Sequence, residues 1–236
     1  CAGEPLNPEF EIAWHEETGI PLSQLIGTTE FLHAFIGFRL GVDEIKRETL
    51  GLVCAGYEVS VRDPETFMEV PHGEHGLMCV RGPTSTVYWS PRDIQSESVR
   101  DGWTIVRDLI WRDDEGFIHF VSRQDEMIIT GGLNVSPVDV ERVLARHPAV
   151  RECASIGAPD ETGERAELVK AFIILADGYT GDPALTTEIQ NFFKASAPPF
   201  MYPRKIEYVD TLPKSMTGKL QRSALKRQEL AKQGVE

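Results

Sequence analysis

Long apolar runs and paired cysteines are both lacking in this 236-residue sequence. The longest uninterrupted apolar stretch covers residues 171–176; a membrane helix needs roughly 20 residues, and no signal-peptide pattern opens the chain. The four cysteines are widely separated and form no C-x-x-C pair, which excludes a disulfide framework and a zinc knuckle. We therefore expect a cytoplasmic protein without a membrane span.

Positive charge is also scarce, because 24 Lys and Arg stand against 37 Asp and Glu and leave a net charge of −13. A surface of this sign repels a phosphate backbone, so we expect no nucleic-acid partner. Residues 212–236 depart from the trend, since six basic side chains stand there against two carboxylates. We expect this C-terminal segment to attract a small anion.

The first half of the sequence has the alternating pattern of short antiparallel strands. The proline after Asn7 and the glycine after Thr18 predict a helix between them, and an apolar segment over 21–26 predicts a strand that runs into a polar turn. Further strands are predicted over 57–61, 76–80, 103–106 and 117–121. Together these strands predict a small antiparallel β-barrel or sheet.

After Arg123 the pattern changes to strands interleaved with helices. Strands are predicted over 127–130, 151–156, 168–175 and 205–209, and helices over 136–147, 184–197 and 222–232. The strand over 168–175 is continuously apolar, which favours a central position in its sheet. We interpret this half as a compact α+β domain and predict two domains, 1–124 and 125–236.

Polar side chains follow two of the apolar segments of the first half. Thr28 and Thr29 carry hydroxyls that can bond phosphate oxygens, and the carboxylate of Glu30 can hold Mg²⁺; a helix cap or solvated turn is the alternative. Asp108 is suited to accept both hydroxyls of a ribose, with Arg123 beside it. A plain surface ion pair is the alternative there.

Two features of the second half invite similar alternatives. Gly131 and Gly132 lack side chains and so permit close approach of a ligand, or they form an ordinary loop. The segment over 212–219 lacks the first glycine of a phosphate loop, and Leu220 replaces its Mg²⁺-binding hydroxyl. Lys219 on its Thr-Gly loop can still reach into a cleft as a mobile charge, or it is a solvated lysine.

The order of these segments resembles the adenylate-forming superfamily of acyl-CoA synthetases, adenylation domains and luciferases. The segments are 2–6 (AGEPL), 26–30 (IGTTE), 102–108 (GWTIVRD), 122–128 (SRQDEMI), 131–135 (GGLNV) and 212–222 (LPKSMTGKLQR). Three more are similar to benzoate and 2-aminobenzoate CoA ligases: 26–35 (IGTTEFLHAF), 80–84 (VRGPT) and 202–210 (YPRKIEYVD). The resemblance covers essentially the whole chain.

The resemblance implies a fold and a place in a longer protein. It implies the α/β end of a large AMP-binding domain with a small antiparallel β-barrel subdomain, followed by a mobile α+β C-terminal domain. In the family a Ser/Thr/Gly-rich phosphate loop and most of the large domain precede the position of Cys1. We therefore expect a C-terminal fragment that lacks the N-terminal part of the same chain.

The resemblance also implies an activity, in which a carboxylic acid is activated by ATP as an acyl-adenylate and then transferred to CoA. It implies ATP, Mg²⁺ and CoA as cofactor and co-substrates and an aromatic or other organic acid as substrate. A carrier-protein-loading enzyme and a degenerate non-catalytic nucleotide-binding module are the alternatives. The implied site residues are Lys219, Glu30 and Thr29 for catalysis; Gly3, Glu4, Pro5, Thr28, Asp108 and Arg123 for the nucleotide; Glu30 for Mg²⁺; Gly131 and Gly132 for the CoA tunnel; Asp125 for the hinge; and Gly27, Phe31 and His33 for the acid pocket.

The sequence departs from the family pattern at three positions. Arg107 stands where a small residue usually precedes the ribose aspartate, Ser122 stands where glycine is usual, and Met201 replaces a common lysine. The first departure predicts altered nucleotide geometry, and the third predicts a weaker contact with a CoA phosphate.

Overall fold

The computed structural model describes residues 1–3, 6, 8–39, 41–89, 92–160, 162 and 167–232. The chain divides into two compact units, Cys1–Gln124 (unit 1) and Asp125–Glu236 (unit 2). Each unit has apolar clusters of its own. Among the described residues, every helix is too short or too polar to cross a bilayer.

Unit 1 combines one longer helix with short strands in two sheets. Its elements are α1 (Pro8–Thr18), β1 (Ile26–Gly27), β2 (Ala34–Gly37), β3 (Leu52–Val53), β4 (Glu58–Arg62), β5 (Gly76–Arg81), α2 (Arg92–Ser98), β6 (Val99–Arg100), β7 (Trp103–Arg112) and β8 (Ile118–Arg123). Strands β1 to β3 form one antiparallel sheet. The other five form an antiparallel sheet in the order β4-β5-β7-β6, with β8 also on β7.

The helix predicted over 8–18 and the four strands predicted between 57 and 121 are confirmed. The strand predicted over 21–26 is wrong, because only Ile26 and Gly27 enter a ladder. The segment before them makes two hydrogen bonds with Cys1 instead: Leu25 N–H donates to the Cys1 carbonyl (3.0 Å), and the Cys1 amino group donates to the Ser23 carbonyl (2.6 Å). Strands β2, β3 and β6 and helix α2 were not predicted, since such short elements leave little periodicity in a sequence.

The larger apolar cluster of unit 1 lies on one face of the five-stranded sheet, and a smaller one around Leu77 and Cys79 lies on the other. Met78, Val80, Ile110 and Ile118 are fully buried in the larger cluster, because alternate residues of a strand point to the same face. The rings of Phe31 and Phe35 pack edge to face, 5.1 Å apart, and bring the segment after β1 onto this core. The core therefore fixes the position of the polar turn that precedes Phe31.

Unit 2 is built on the sheet β11-β12-β13 with helices packed on it. Its elements are β9 (Ile128–Thr130), β10 (Leu133–Val135), α3 (Pro137–Ala145), β11 (Val150–Pro159), β12 (Glu167–Leu175), α4 (Pro183–Ser196), β13 (Lys205–Tyr208) and α5 (Arg222–Lys232). Strand β12 pairs antiparallel with β11 and parallel with β13. The predicted central position of the apolar strand is confirmed.

Helix α4 shows how the sequence specifies its own element in unit 2. The Asp182 side chain accepts a hydrogen bond from Leu185 N–H (2.7 Å), and Pro183 occupies the first turn, which is the usual start of a helix. Leu185, Ile189 and Phe193 recur every four residues and are buried. Helix α4 therefore anchors the core of unit 2 through one face.

Replacing Phe193 by Ala should destabilise unit 2 by about 3–5 kcal/mol, because a fully buried ring is removed and a cavity remains. Urea denaturation followed by circular dichroism measures the free energy of unfolding. Phe200 is 40% exposed, and Phe200→Ala is the matched control with an expected loss of less than about 1 kcal/mol. Equal losses in the two variants would contradict the assignment of Phe193 to the core.

Candidate functional site

The polar turn after β1 is held in one conformation by its backbone. Thr28 is extended (φ −131°, ψ 164°), and residues Thr29–Phe31 form a turn of 3-10 helix that ends at Leu32 in the left-handed region (φ 67°). A Cβ atom on Gly27 would lie 2.4 Å from the His33 carbonyl oxygen. The absence of a side chain at Gly27 therefore allows the β1–β2 hairpin to close, whatever further role it has.

Glu30 is held by a segment of alternating polar residues that follows β5. Tyr88 Oη donates to Glu30 Oε1 (2.7 Å), Thr86 Oγ1 to the Glu30 carbonyl (2.9 Å) and Thr84 Oγ1 to the Phe31 carbonyl (2.8 Å). Sequence reasoning missed all three donors. The available signal was their spacing, since Thr84, Thr86 and Tyr88 occupy every second position and therefore share one side of an extended chain.

The carboxyl group of Glu30 is ionised at neutral pH. Partial burial alone would raise its pKa, but the hydrogen bonds from Tyr88 and from the Glu30 backbone, with a smaller contribution from the positive charge of Arg123, together hold the pKa below its ordinary value. The Thr28 hydroxyl is close enough to the carboxylate to lower this pKa as well, but its Oγ1 atom is buried and makes no hydrogen bond of regular geometry with any described residue. The turn thus presents one carboxylate and one buried hydroxyl whose bonding capacity is not used.

Asp108 lies inside β7, whereas the sequence suggested a strand end. Val106 pairs with Met78 and Leu109 with Leu77, so Arg107 and Asp108 form a bulge opposite β5. A bulge re-aims side chains and is common beside functional sites. Asp108 is 9% exposed and lies directly across from Arg123 on β8, with 3.9 Å between Asp108 Oδ1 and Arg123 Nη1.

Arg107, the unusual residue before Asp108, points away from this pair. Its side chain is more than half exposed and lies 3.4 Å from the Glu97 carboxylate, while Asp108 is nearly buried. The side chains of Arg107 and Asp108 therefore have different surroundings. The effect of Arg107 on nucleotide geometry stays a prediction.

The side chains expected at an acid pocket have different surroundings. Phe31 is fully buried and contacts the rings of Phe35 and Tyr57, so packing alone accounts for it. His33 is exposed, and its Nε2 atom lies 2.8 Å from Tyr57 Oη, which in turn lies 2.6 Å from Thr84 Oγ1. The pocket itself stays a prediction for these residues.

The glycine pair of unit 2 forms the tip of a β-hairpin. Leu133 pairs with Thr130, so Gly131 and Gly132 are the two connecting residues. Both have positive φ angles (58° and 76°), as a type I′ turn requires. Both are exposed, and the space where a Gly132 side chain would lie is open.

Lys219 projects from a closed turn at the start of α5. Lys214 and Leu220 form an isolated antiparallel β-bridge that closes the turn. Inside it, Ser215 N–H donates to the Lys219 carbonyl (2.8 Å), and Lys219 N–H donates to Ser215 Oγ (3.1 Å). The Lys219 side chain is exposed, and no carboxylate of the described residues pairs with it. Its backbone is therefore fixed while its ammonium group is available.

The basic C-terminal segment is less positive in the fold than its sequence predicts. Four of its six basic side chains are ion-paired with carboxylates: Lys214 with Glu152, Arg222 with Glu126 and Glu141, Lys226 with Glu167, and Lys232 with Glu207. Within the described residues only Lys219 and Arg227 are left without such a partner. Attraction of an anion by the whole segment is therefore not supported, and Lys219 is the available cation on its turn.

The predicted site residues are distributed over the two units. Glu30 and Asp108 both interact electrostatically with Arg123 in unit 1, whereas Lys219 and the glycine pair belong to unit 2. Gly3 has a φ angle of 104°, and Asp125 lies in a turn of 3-10 helix, Gln124–Glu126. Glu4 and Pro5 lie outside the described residues.

The structure also shows the surroundings of Ser122 and Met201, the two other departures from the family pattern. Ser122 is fully buried, and its hydroxyl donates to the Arg123 carbonyl (3.1 Å). Met201 packs against the core of unit 2 from a short turn of 3-10 helix. Its side chain thus contributes apolar contact at a position where a lysine would supply charge.

Replacing Tyr88 by Phe should raise the pKa of Glu30, because the carboxylate loses its principal hydrogen bond. A lowered pKa stabilises the fold above the unfolded value of 4.5, and this stabilisation is lost as the pH falls through the folded-state pKa. Carboxyl-carbon NMR titration measures the shift. Tyr57→Phe, which removes a hydroxyl bonded to His33 and Thr84, should leave Glu30 unchanged; a shift there as well would refute the assignment.

Comparison with known proteins connects these features. Residues 1–89 match the family model of the AMP-binding enzyme, and residues 139–219 match that of the AMP-binding enzyme C-terminal domain. The chain is 36% identical to the mitochondrial acyl-coenzyme A synthetase ACSM4 of Rattus norvegicus, covering 96% of this chain and 40% of that protein. It is 35% identical to the benzoate–CoA ligase of Thauera aromatica, covering 95% and 42%.

Solved structures give the same result. The anthranilate CoA ligase AuaEII, crystallised with anthranoyl-AMP, superposes with a TM-score of 0.90 at 36% identity, over 99% of this chain and 45% of that one. A benzoate CoA ligase from Burkholderia xenovorans LB400 gives a TM-score of 0.84 at 34% identity, over 95% and 44%. The chain thus spans less than half the length of these relatives. Since family models match in both units and the fold agrees throughout, the chain belongs to the AMP-binding family of adenylate-forming enzymes.

Proposed function

We propose that this chain is the C-terminal part of an AMP-forming acid–CoA ligase. The observation that carries the proposal is the cluster of Glu30, Asp108 and Arg123 in unit 1. In this cluster the nearly buried carboxylate of Asp108 and the polar turn that carries Glu30 both lie near the exposed guanidinium of Arg123, which contributes to lowering the pKa of Glu30. The fold around them is shared with acid–CoA ligases. Unit 1 would then be the end of the large domain, and unit 2 the small mobile domain.

The reaction has two steps on one carboxyl group. First, a carboxylate oxygen bonds to the α-phosphorus of ATP, and the bond from that phosphorus to pyrophosphate breaks. Then the sulfur of CoA, losing its proton, bonds to the acyl carbon, and AMP leaves with the electron pair of the broken C–O bond. Little covalent chemistry falls to the protein, so positioning and charge stabilisation carry catalysis.

The nucleotide would be held by groups of unit 1. Asp108, whose Oδ1 atom lies 3.9 Å from Arg123 Nη1, would offer its two carboxyl oxygens to the two ribose hydroxyls. The buried Oγ1 of Thr28 has no partner among the described residues, which suits a hydroxyl that bonds a phosphate oxygen when nucleotide is bound. Thr29 is exposed beside it and would also face the phosphates, and Gly3, Glu4 and Pro5 would lie along the adenine.

Glu30 is suited to bind the Mg²⁺ ion that accompanies a nucleotide. Mg²⁺ in such sites keeps waters and phosphate oxygens and takes one or two carboxylates from the protein. Glu30 supplies one ionised carboxylate, of which Oε1 bonds to Tyr88, and the described residues contain no group of three or more metal-binding side chains. Bound there, Mg²⁺ would neutralise phosphate charge.

Lys219 would act in the first step. Its ammonium group has no carboxylate partner in the described part of unit 2, so it can bind the acid and the α-phosphate as negative charge builds up on them. The exposed Gly131–Gly132 tip would line the path of CoA in the second step. Asp125, in the turn at the start of unit 2, would be the hinge at which unit 2 rotates between the two steps.

The acid is proposed to be aromatic. The relatives named for benzoate and anthranilate support this class, and Gly27, Phe31 and His33 would contribute to its pocket. The imidazole of His33, exposed and 2.8 Å from Tyr57 Oη, offers an edge for a ring substituent. CoA is preferred to a carrier protein as acceptor because these relatives are CoA ligases.

In the complete enzyme, Lys219→Ala should slow adenylate formation by about 100-fold or more, because the charge on the reacting phosphorus loses its partner. ATP–pyrophosphate exchange with benzoate measures this step, and CoA thioester formation from supplied benzoyl-adenylate measures the other. The second rate should largely persist. Arg227→Ala, which removes the other unpaired basic side chain of the segment, is the control, and equal loss of both steps in Lys219→Ala would refute the role.

Asp125→Pro should slow one of the two steps selectively, because proline restricts the backbone at the proposed pivot. Single-turnover measurements of adenylate and thioester formation give the two rates. Asp125→Ala is the matched control, since it removes the side chain but keeps the backbone free. A uniform loss in the proline variant, or no loss, would count against rotation at this residue.

A further inference from the structure

Arg222, the first residue of α5, is the centre of a three-residue ion network inside unit 2. Its Nη1 atom lies 3.0 Å from Glu126 Oε2, its Nη2 atom 2.6 Å from Glu141 Oε2, and its Nε atom 3.2 Å from Glu141 Oε1. The side chains of all three residues are no more than 20% exposed. The guanidinium group thus donates to two carboxylates in a setting largely closed to water.

The two carboxylates belong to different parts of unit 2. Glu141 lies on α3, and its Oε1 atom also accepts a hydrogen bond from Ser155 N–H on β11 (2.6 Å), so this branch is part of the domain core. Glu126 is the last residue of the Gln124–Glu126 turn, directly after Asp125. Arg222 therefore connects the core of unit 2 to the turn at which the unit begins.

Lys219 stands only three positions before Arg222, at the end of its closed turn. Two backbone contacts restrict the movement of that turn relative to α5. They are the β-bridge between Lys214 and Leu220 and the hydrogen bond from Gln221 N–H to the Pro213 carbonyl (2.8 Å). The position of the Lys219 backbone is therefore set by where Arg222 is fixed.

We propose that Arg222 is a positioning residue that holds the Lys219 turn in register with the start of unit 2 through Glu126. This inference rests on the proposed function, because Lys219 and the pivot at residue 125 acquire their meaning there. Arg222 itself contacts no substrate. A rotation at residue 125 would then move Lys219 by a defined amount, because the Arg222 side chain joins the Gln124–Glu126 turn to the segment that carries Lys219.

The choice of arginine agrees with this role. A guanidinium donates in a fixed plane to two carboxylates at once, whereas the ammonium of lysine is a point charge on a flexible stem. Burial alone would lower the pKa of Arg222, but Glu141 and Glu126 raise it, so the guanidinium keeps its charge. Burial raises the pKa of Glu141, against the effect of Arg222. A lysine at this position would retain the charge and lose the geometry.

The neighbouring ion pair on the same helix provides a control. Lys226, one turn farther along α5, lies 2.6 Å from Glu167 on β12. It ties α5 to the sheet in a manner similar to Arg222, but no contact joins it to Glu126. Both residues therefore hold α5 in place, but of the two only Arg222 also contacts the Gln124–Glu126 turn.

The test uses the complete enzyme with the variant Glu126→Gln, which removes the negative charge from the hinge branch and so weakens its bond to Arg222, while the Arg222–Glu141 pair stays intact. Adenylate formation, measured by ATP–pyrophosphate exchange with benzoate, should fall roughly 10- to 100-fold, because a reacting group is misplaced. Thioester formation from supplied benzoyl-adenylate should change by less than about threefold, and the melting temperature should stay close to that of the parent. Lys226→Met should leave the ratio of the two rates unchanged.

Arg222→Lys provides the second arm. It should lower adenylate formation to a similar extent, and combining it with Glu126→Gln should add little, because the two changes break the same contact. An equal fall of both half-reactions, an additive double variant, or the same imbalance in Lys226→Met would overturn the proposal. If Lys219→Ala itself spares adenylate formation, the proposed function fails; if Lys219→Ala suppresses it while Glu126→Gln does not, only the role of Arg222 fails.

Discussion

Lys170 and Arg222 are cations that the fold of unit 2 has taken largely out of water, and each therefore needs carboxylates within bonding distance. The ammonium of Lys170, 6% exposed, lies 2.6 Å from Glu229 on α5 and 2.7 Å from Glu207 on β13. Arg222 meets Glu126 and Glu141 in the same way. Helix α5 is thus fixed at both ends by charge pairs, and the turn before it is fixed with it.

This constraint also decides which cation remains available for chemistry. Lys214, Lys226 and Lys232 have carboxylate partners, and only Lys219 stands on the turn without one among the described residues. A lysine that is to bind a substrate carboxylate and a phosphate in one step, as proposed for Lys219, cannot be engaged in a permanent ion pair. The pairing of its neighbours therefore supports the role proposed for it.

In unit 1 the backbone geometry determines which charged side chains lie next to one another. The bulge at Arg107 and Asp108 turns Asp108 toward Arg123 while Arg107 remains in solvent. Tyr88, with a smaller contribution from Arg123, keeps Glu30 ionised near the Thr28 hydroxyl, which is buried without a regular hydrogen bond to any described residue. This arrangement is consistent with the nucleotide site proposed for unit 1, because buried polar groups without partners are costly.

Much of the fold follows from the sequence alone. The helix Pro8–Thr18 follows from the proline at its start and the glycine after its end, and the central place of β12 follows from its continuous apolar run. The helix Arg222–Lys232 has the bounds predicted for it. The family resemblance likewise depends on short segments and their order along the chain. These features are visible because they depend on neighbours in sequence.

The tertiary structure alone decided the partners. Tyr88 bonds Glu30 from 58 residues away, and Arg222 bonds Glu126 and Glu141 from 96 and 81 residues away; no sequence period records such distances. The same holds for the bulge that aims Asp108, since pairing with β5 and β8 creates it. The sequence therefore determined which chemical groups are present and which elements carry them, and folding determined which charges neutralise one another and which stay free to meet a ligand, because electrostatic contact depends on distance in space.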